Sequence, residues 1–114
     1  MNNQGIVQYA LTNLQKTGKI RAKWLDNAHN EVLDGTIVLT LNDRTIKLGI
    51  EIKKELRNIH LPKLEAFAKE YHPFMIVAQT IFPKIKQELR NRNIAYLEAN
   101  GNIYLHEKET FLWL

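Results

Sequence analysis

The sequence predicts a mixed α/β domain in which helices cover a central sheet, with elements in the order α-βββ-α-β-α-ββ. Three observations predict this fold class. Apolar residues recur at helical spacing in three segments, they alternate with polar residues in others, and the run at 74–78 is apolar on both faces. A strand that is apolar on both faces is typical of a sheet with helices on each side. We therefore expect one layered domain.

Composition restricts the classes of function. The 114 residues, 45% of them hydrophobic, fit a single domain over residues 1–114 with one core. The lack of cysteine excludes disulfides, thiolate metal sites and cysteine nucleophiles, and it suits a reducing cytoplasm. The apolar runs are far shorter than the roughly 18 residues of a membrane helix, so we expect no membrane partner. The net charge of +4 weakly favours a polyanionic partner.

The first half of the chain predicts a helix followed by a three-strand meander. Residues 5–16 carry an apolar stripe at helical spacing, which predicts the first helix. Alternating apolar and polar side chains predict three strands after it, at residues 20–24, 36–41 and 45–53. Asn42 and Asp43 are typical of a two-residue hairpin turn, so they are expected to join the last two strands.

The second half predicts two helices and several short strands around the buried strand at 74–78. Pro62 and Pro83 each suit the first turn of a helix, and Pro73 ends the first of these helices. Two further strands are predicted at residues 94–97 and 103–105, and residues 111–114 are a candidate for a last one. Because the last of them is apolar and no polar tail follows it, we expect the chain to be the first domain of a longer protein.

The hairpin of residues 34–53 is expected to bring two acidic side chains together. With a two-residue loop at its tip, counting outward places Asp34 opposite Glu51. Cross-strand partners have Cβ atoms about 4.5–5.5 Å apart, so the two carboxylates can share one divalent cation. Lys53 lies two residues further along the same face, and Gly49 is expected to leave space beside the pair.

This arrangement suits metal-dependent hydrolysis of a phosphodiester. Carboxylates bind Mg²⁺, which polarises a phosphoryl oxygen and lowers the pKa of a bound water, while an amine stabilises the developing negative charge. The predicted catalytic residues are Asp34, Glu51 and Lys53, and the first two are the predicted Mg²⁺ ligands. The alternative is a solvated hairpin face on which Lys53 forms an ion pair with one of the acids.

Two groups of basic residues are candidates for binding DNA phosphates. The first lies beside the predicted metal site and consists of Lys54 and Arg57. The second lies on successive turns of the last predicted helix and consists of Lys84, Lys86, Arg90 and Arg92, all expected to point outward. An ordinary solvated helix face explains this second group equally well. Without the spacing of a zinc motif, no structural zinc ligand is expected among His29, His60, His72 and His106.

The order of these motifs resembles that of the PD-(D/E)xK restriction-endonuclease-like superfamily. The resemblance rests on Asp-Gly-Thr-Ile at 34–37 and, after a short hairpin, Ile-Glu-Ile-Lys at 50–53, followed by a helix and a buried strand. It covers most of residues 1–106 and implies a restriction-endonuclease-like fold, a central mixed sheet flanked by helices. It also implies a nuclease site with metal ligands Asp34 and Glu51 and the catalytic lysine Lys53.

A narrower resemblance is to the nuclease-like portion of AbiEi-type antitoxins, regulators in bacterial type IV toxin–antitoxin systems. The segments that carry it are residues 74–78, 83–85, 89–90 and 94–105. The most distinctive of them contains Tyr-Leu-Glu-Ala-Asn-Gly-Asn at 96–102. This resemblance implies a transcription regulator in which further DNA-binding sequence follows the present domain.

Two departures from the nuclease pattern leave more than one function open. Leu33 stands where the superfamily often has proline, and residues 5–16 lack the acid that the first helix of many active members supplies. One hypothesis is a Mg²⁺-dependent endonuclease that acts on DNA. A second is a non-catalytic AbiEi-like module that binds DNA or a protein partner, and a third is a dimerisation domain that uses the apolar last strand.

Overall fold

The structure, a computed structural model, describes residues 1–26 and 32–114. Within these residues it contains a seven-stranded mixed sheet and three α-helices, which confirms the predicted α/β class. The order of elements agrees with the predicted one up to the third helix, after which three strands follow instead of two. The helices are α1 (Asn3–Gln15), α2 (Leu61–Glu70) and α3 (Pro83–Asn91), with a 3₁₀ turn at Asn58–His60 before α2. The strands are β1 (Ile20–Asp26), β2 (Gly35–Leu41), β3 (Arg44–Glu55), β4 (Phe74–Thr80), β5 (Ala95–Glu98), β6 (Ile103–Glu107) and β7 (Thr110–Trp113).

The strands lie in the sheet in the same order as in the chain. β3, β4 and β5 are parallel, and all other neighbouring strands are antiparallel. The connections from β3 to β4 and from β4 to β5 contain α2 and α3. Connections between parallel strands are almost always right-handed, and these two connections both advance across the sheet in the same direction. Both helices therefore lie on the same face of the sheet. The opposite face is covered by α1, so the domain has three layers.

Helix α1 buries the apolar stripe that the sequence predicts. The buried residues are Ile6, Val7, Ala10, Leu11 and Leu14. The helix starts at Asn3, earlier than the predicted residue 5, because the Asn2 side chain caps it by accepting the N–H of Gly5 at 2.8 Å. The stripe packs against the inward residues of the sheet and forms the larger of two apolar cores.

The hairpin between β2 and β3 has the predicted register. Thr40 pairs with Thr45, and the alignment continues without a bulge to the pair of Gly35 and Ile50. The two turn residues have positive φ angles of 48° and 66°, as a type I′ turn requires. The alternation of side chains then assigns Ile50 and Ile52 to the face under α1, and Glu51 to the face under α2 and α3.

Strand β4 is the buried central strand that the sequence predicts. Its residues 74–78 are all buried, and they divide between the core under α1 and the core under α2 and α3. The parallel registers on its two sides align Lys53, Ala78 and Glu98 in one row across the sheet. This row brings residues that are distant in sequence to one face, close to where the three parallel strands end.

The boundaries of some elements differ from the predicted ones. β3 extends two residues beyond the predicted end to Glu55, and there it still pairs with Thr80 of β4. The 3₁₀ turn was not predicted, since a turn of three residues is too short to show periodicity. Among the described helices, none combines the length and apolar character needed to cross a bilayer.

Candidate functional site

Asp34, Glu51 and Lys53 come together where β2 begins alongside β3, and we call these three residues the triad. Lys53 Nζ lies 3.8 Å from Glu51 Oε1. Asp34 directly precedes Gly35, the partner of Ile50, and is close enough to act electrostatically on Glu51. The Glu51 carboxylate therefore has a second acid on one side and an amine on the other.

Asp34 is held in place by two hydrogen bonds to β3. Its backbone N–H donates to the carbonyl of Ile50 at 2.8 Å, and its Oδ2 accepts the N–H of Ile52 at 2.7 Å. The side chain thus replaces the backbone partner that Ile52 loses where β2 begins. The other carboxylate oxygen, Oδ1, takes no part in this bond.

The environment of Glu51 disfavours its negative charge. Its side chain is only 13% exposed. Burial raises the pKa of Glu51, the neighbouring carboxylate of Asp34 raises it further, and the amines of Lys53 and Lys63 lower it, with a net upward shift. A cation bound here would relieve both unfavourable effects, because it stabilises the ionised form of each carboxylate.

Basic side chains gather next to the triad around His60. Burial lowers the pKa of His60, and the positive charges of Lys53, Arg57 and Lys63 lower it further. We refer to Lys53, Arg57 and Lys63 as the cationic cluster. The Nδ1 atom of His60 accepts the N–H of Arg57 at 3.0 Å, so the neutral ring carries its proton on Nε2 and can donate from there.

From the sequence, His60 was of interest only as a zinc ligand, and Lys63 was not predicted to take part in a site. Lys63 belongs to the cationic cluster and His60 lies among its charges because the 3₁₀ turn and the first turn of α2 follow directly on the end of β3. The sequence does contain an indication of this turn, because Arg57 and His60 are three residues apart just before Pro62. In this spacing a side chain can return to cap the start of a helix.

Of the basic residues predicted on α3, Lys86 does not point outward. Its side chain is 17% exposed, and its Nζ lies 2.6 Å from Glu98 Oε1. Glu98 Oε1 is therefore paired with this amine, and Oε2 accepts the N–H of Ile81 at 2.8 Å. The prediction was wrong for Lys86 because α3 contacts β5, whose buried Glu98 carboxylate attracts the Lys86 amine inward.

The other basic residues of α3 have different surroundings. Arg90 donates to the hydroxyl of Tyr96 at 2.8 Å and lies over the ring of Trp113, 4.7 Å from its centroid. Arg92 forms ion pairs with acids of α2 and α3, Glu65 and Glu88. Lys84, in the first turn, is exposed. The helix therefore presents less free positive charge than its sequence indicates.

The predicted basic residues beside the triad lie near the carboxyl end of β3. Lys54 is exposed, and by the alternation of β3 its side chain belongs to the opposite face from Lys53. Arg57 Nε lies 3.6 Å from Glu55 Oε1, and both side chains are largely exposed. Such a pair is weak and leaves the guanidinium able to contact a phosphate.

Two glycines allow close packing at the triad. A Cβ atom on Gly35 would lie 2.3 Å from Trp24 Cη2 and 2.8 Å from the carbonyl oxygen of Leu25. A Cβ atom on Gly49 would lie 2.7 Å from Leu33 Cδ1. The space expected beside Gly49 is therefore filled by Leu33, which belongs to the core under α2 and α3. Leu33 thus supports the backbone next to Asp34.

The remaining histidines lie away from the triad or outside the described residues. His72 Nε2 is 2.7 Å from Glu107 Oε1, close to the start of β4. His106, on β6, makes an edge contact with the ring of Phe111 at 5.3 Å between centroids. His29 lies in the segment 27–31, outside the described residues.

The donor atoms of the triad fit Mg²⁺. Asp34 and Glu51 supply carboxylate oxygens, and Mg²⁺ is usually held by one or two carboxylates with water and phosphate oxygens as its other ligands. In residues 1–26 and 32–114, no three His, Asp or Glu side chains converge as a set of metal ligands. A cation at this position would therefore take its remaining ligands from water and from the phosphate oxygens of a substrate.

No protein-family model, curated protein or solved structure matches this chain. The resemblance to the PD-(D/E)xK superfamily accordingly rests on the sequence motifs at 34–37 and 50–53, and the resemblance to AbiEi-type antitoxins rests above all on the motif at 96–102. The chemistry that the site can perform is set by the geometry and charges of the triad and the cationic cluster.

Proposed function

We propose that the protein is a DNA-interacting domain of the PD-(D/E)xK nuclease type, with a Mg²⁺-dependent phosphodiesterase site at the triad. The observation that carries the proposal is the convergence of Asp34, Glu51 and Lys53 at one place on the sheet, bordered by the cationic cluster. Two carboxylates, one amine and adjacent positive charge form a set suited to a metal ion and a phosphodiester.

The energetics of Glu51 support this proposal. A partly buried acid beside a second acid lowers the stability of the fold at neutral pH, and a hydrophobic or amide side chain would avoid that cost. Perturbed carboxylates of this kind concentrate at functional sites, where ligand binding offsets the unfavourable charge. Lys53 offsets only part of it, because the pKa of Glu51 remains raised with that amine in place.

Each group has a defined task in the proposed reaction. Bound Mg²⁺ would polarise a phosphoryl oxygen and lower the pKa of a coordinated water. Lys53 would donate hydrogen bonds to the oxygen on which negative charge develops. Arg57 and Lys63 would attract the flanking phosphates, and His60 would donate to one of them through Nε2 without adding charge.

A second function, DNA binding without cleavage, is supported by two contacts of the triad. Asp34 Oδ2 already accepts the N–H of Ile52, and the amine of Lys53 already compensates Glu51 at 3.8 Å. The triad therefore has a structural use that requires no metal. In this case the domain would be the non-catalytic part of an AbiEi-like regulator, which binds DNA or a protein partner.

A cleavage assay tests the catalytic proposal. Wild-type protein is expected to cut supercoiled plasmid or branched DNA with Mg²⁺ or Mn²⁺ and to leave both uncut with EDTA. Glu51→Gln and Lys53→Ala are each expected to lower the rate by about 100-fold or more. The control is Glu70→Gln, which removes an exposed acid at the end of α2 and is expected to keep full activity. Equal cleavage by all four proteins would overturn the proposal.

A binding assay separates the second function from the first. Affinity for duplex DNA is expected to fall steeply with salt, with a slope of log K against log [salt] near −0.9 for each phosphate contact. Arg57→Ala and Lys63→Ala are each expected to reduce this slope by about one contact. Salt-dependent binding without metal-dependent cleavage would select the non-catalytic function. An affinity insensitive to salt would remove DNA as the partner.

A further inference from the structure

We propose that Phe82 and the depression beside it form a stacking site for an unpaired base of single-stranded DNA. This inference specifies the substrate of the proposed DNA-interacting domain and rests on that function. The depression has a volume of about 280 Å³ and is lined by Lys54, Glu55, Gln79, Thr80 and Phe82. It lies at the carboxyl ends of the parallel strands β3 and β4, the edge at which α/β sheets usually bind ligands.

Phe82 is exposed between two buried isoleucines of its segment. The residue before it, Ile81, and the inward residue of the first turn of α3, Ile85, are both buried, whereas Phe82 is 51% exposed. Ile59, in the 3₁₀ turn after β3, is 81% exposed. Glu55 and Thr80 form the last pair of the parallel strands β3 and β4. The segments that carry Ile59 and Phe82 therefore both leave the sheet at the carboxyl ends of these strands.

A buried ion pair holds the backbone on both sides of Phe82. Glu98 Oε2 accepts the N–H of Ile81 at 2.8 Å, while Glu98 Oε1 is paired with the amine of Lys86. The backbone N–H of Lys86 in turn donates to the carbonyl of Phe82 at 3.0 Å. The exposed ring is therefore carried on a rigid segment, which lowers the entropy lost when it binds a ligand.

The charges around the ring favour a polyanion. Lys54 lines the depression, and Lys84 is exposed two residues beyond Phe82. The acid in the wall, Glu55, is partly neutralised by Arg57, whose Nε lies 3.6 Å from its Oε1. An exposed aromatic ring with cations beside it is the usual composition of single-strand binding sites, in which bases stack and phosphates meet basic groups. A paired base keeps both its faces within the duplex stack, so the ring selects an unpaired one.

Fluorescence anisotropy with a dye-labelled oligothymidylate and a duplex of equal length, both in EDTA, tests the inference. Phe82→Ala is expected to weaken binding of the single strand by about 5- to 100-fold and to change duplex binding by less than about twofold. Phe82→Leu keeps the apolar bulk without an aromatic face and should lose a similar factor, whereas Phe82→Trp should retain the affinity. The control is Phe111→Ala, which removes a ring of similar exposure, 55%, from β7.

The outcomes separate this inference from the function on which it rests. Unchanged single-strand binding by Phe82→Ala, or an equal loss for both DNAs, would overturn the stacking site and leave the proposed function standing. Full affinity of Phe82→Leu would also overturn it, since apolar contact alone would then suffice. If the folded wild-type protein bound neither DNA, both the inference and the proposed function would be wrong.

Discussion

The carboxylate of Asp34 accepts the backbone N–H of Ile52 at 2.7 Å, immediately beyond the last backbone pair of β2 and β3. Asp34 therefore ends a strand ladder and at the same time stands beside Glu51. Substitution of Asp34 by alanine removes both the hydrogen bond and the charge. Substitution by asparagine removes only the charge, because its amide oxygen still accepts a hydrogen bond.

The first prediction compares two substitutions of Asp34. Asp34→Ala leaves the N–H of Ile52 without its partner and is expected to lower the free energy of unfolding by about 1–2 kcal/mol. Asp34→Asn should stay within about 0.5 kcal/mol of wild type and still lose most of its Mn²⁺ affinity. Urea unfolding and metal titration measure these quantities. Equal destabilisation by both substitutions would show that the charge, rather than the hydrogen bond, matters for folding.

The second prediction concerns metal binding and pH. A metal binds the ionised form of Glu51, and the pKa of Glu51 is raised from 4.5 by burial and by Asp34. The proton therefore competes with the metal up to a higher pH than at an ordinary glutamate. Mn²⁺ affinity is expected to rise with pH through this raised pKa, as measured by calorimetric titration across pH 4–8. A midpoint at the ordinary value would contradict the effect of burial.

The third prediction concerns stability and pH without metal. Because the folded-state pKa of Glu51 lies above the unfolded value of 4.5, the folded protein binds more protons between these two pKa values. The contribution of this group to stability therefore falls as pH rises through that window. Glu51→Gln is expected to remove the fall and to raise the melting temperature at pH 7, as calorimetry would measure. Glu70→Gln, an exposed control, should leave the pH profile unchanged.

The fourth prediction concerns the pair of Lys86 and Glu98. Lys86→Met leaves the buried carboxylate without a counter-charge and is expected to cost about 3 kcal/mol of unfolding free energy. Adding Glu98→Gln should recover a large part of that loss, because the amide oxygen can still accept the N–H of Ile81 without carrying charge. Chemical denaturation of the two single variants and the double variant measures this coupling. Simple additivity of the two losses would contradict it.

The fifth prediction concerns the close approach of β1 and β2. Gly35→Ala places a Cβ atom 2.3 Å from the Trp24 ring and 2.8 Å from the backbone, and is expected to cost about 1–3 kcal/mol. In the control Gly5→Ala the nearest contact, at 3.2 Å, is the Asn2 side chain, so a change below about 1 kcal/mol is expected. Denaturant midpoints compare the two variants. Equal midpoints would mean that β1 moves away without cost.

The local pattern of residues was sufficient to predict the hairpin register and the convergence of the acids. The alternation along β2 and β3 and the two turn residues act within the continuous segment 35–55, and a register shift by one would move every apolar side chain to the wrong face. The stripe of α1 and the buried character of β4 were predicted for the same reason. Each of these features is set by contacts between near neighbours in the chain or by burial alone.

Only the tertiary structure determined the surroundings of the predicted residues. The ion pair of Lys86 with Glu98 exists because α3 contacts β5, the strand that carries Glu98. The position of Phe82 beside Lys54 likewise depends on β3 and β4, which are separated in sequence and end together. The cationic cluster depends on the turn at Asn58–His60, which has no periodic pattern. The periodicity of apolar residues indicates which face of a helix or strand is buried. It contains no information on which other element covers that face. The covering element decides which charged side chains are paired and which are free to bind a ligand.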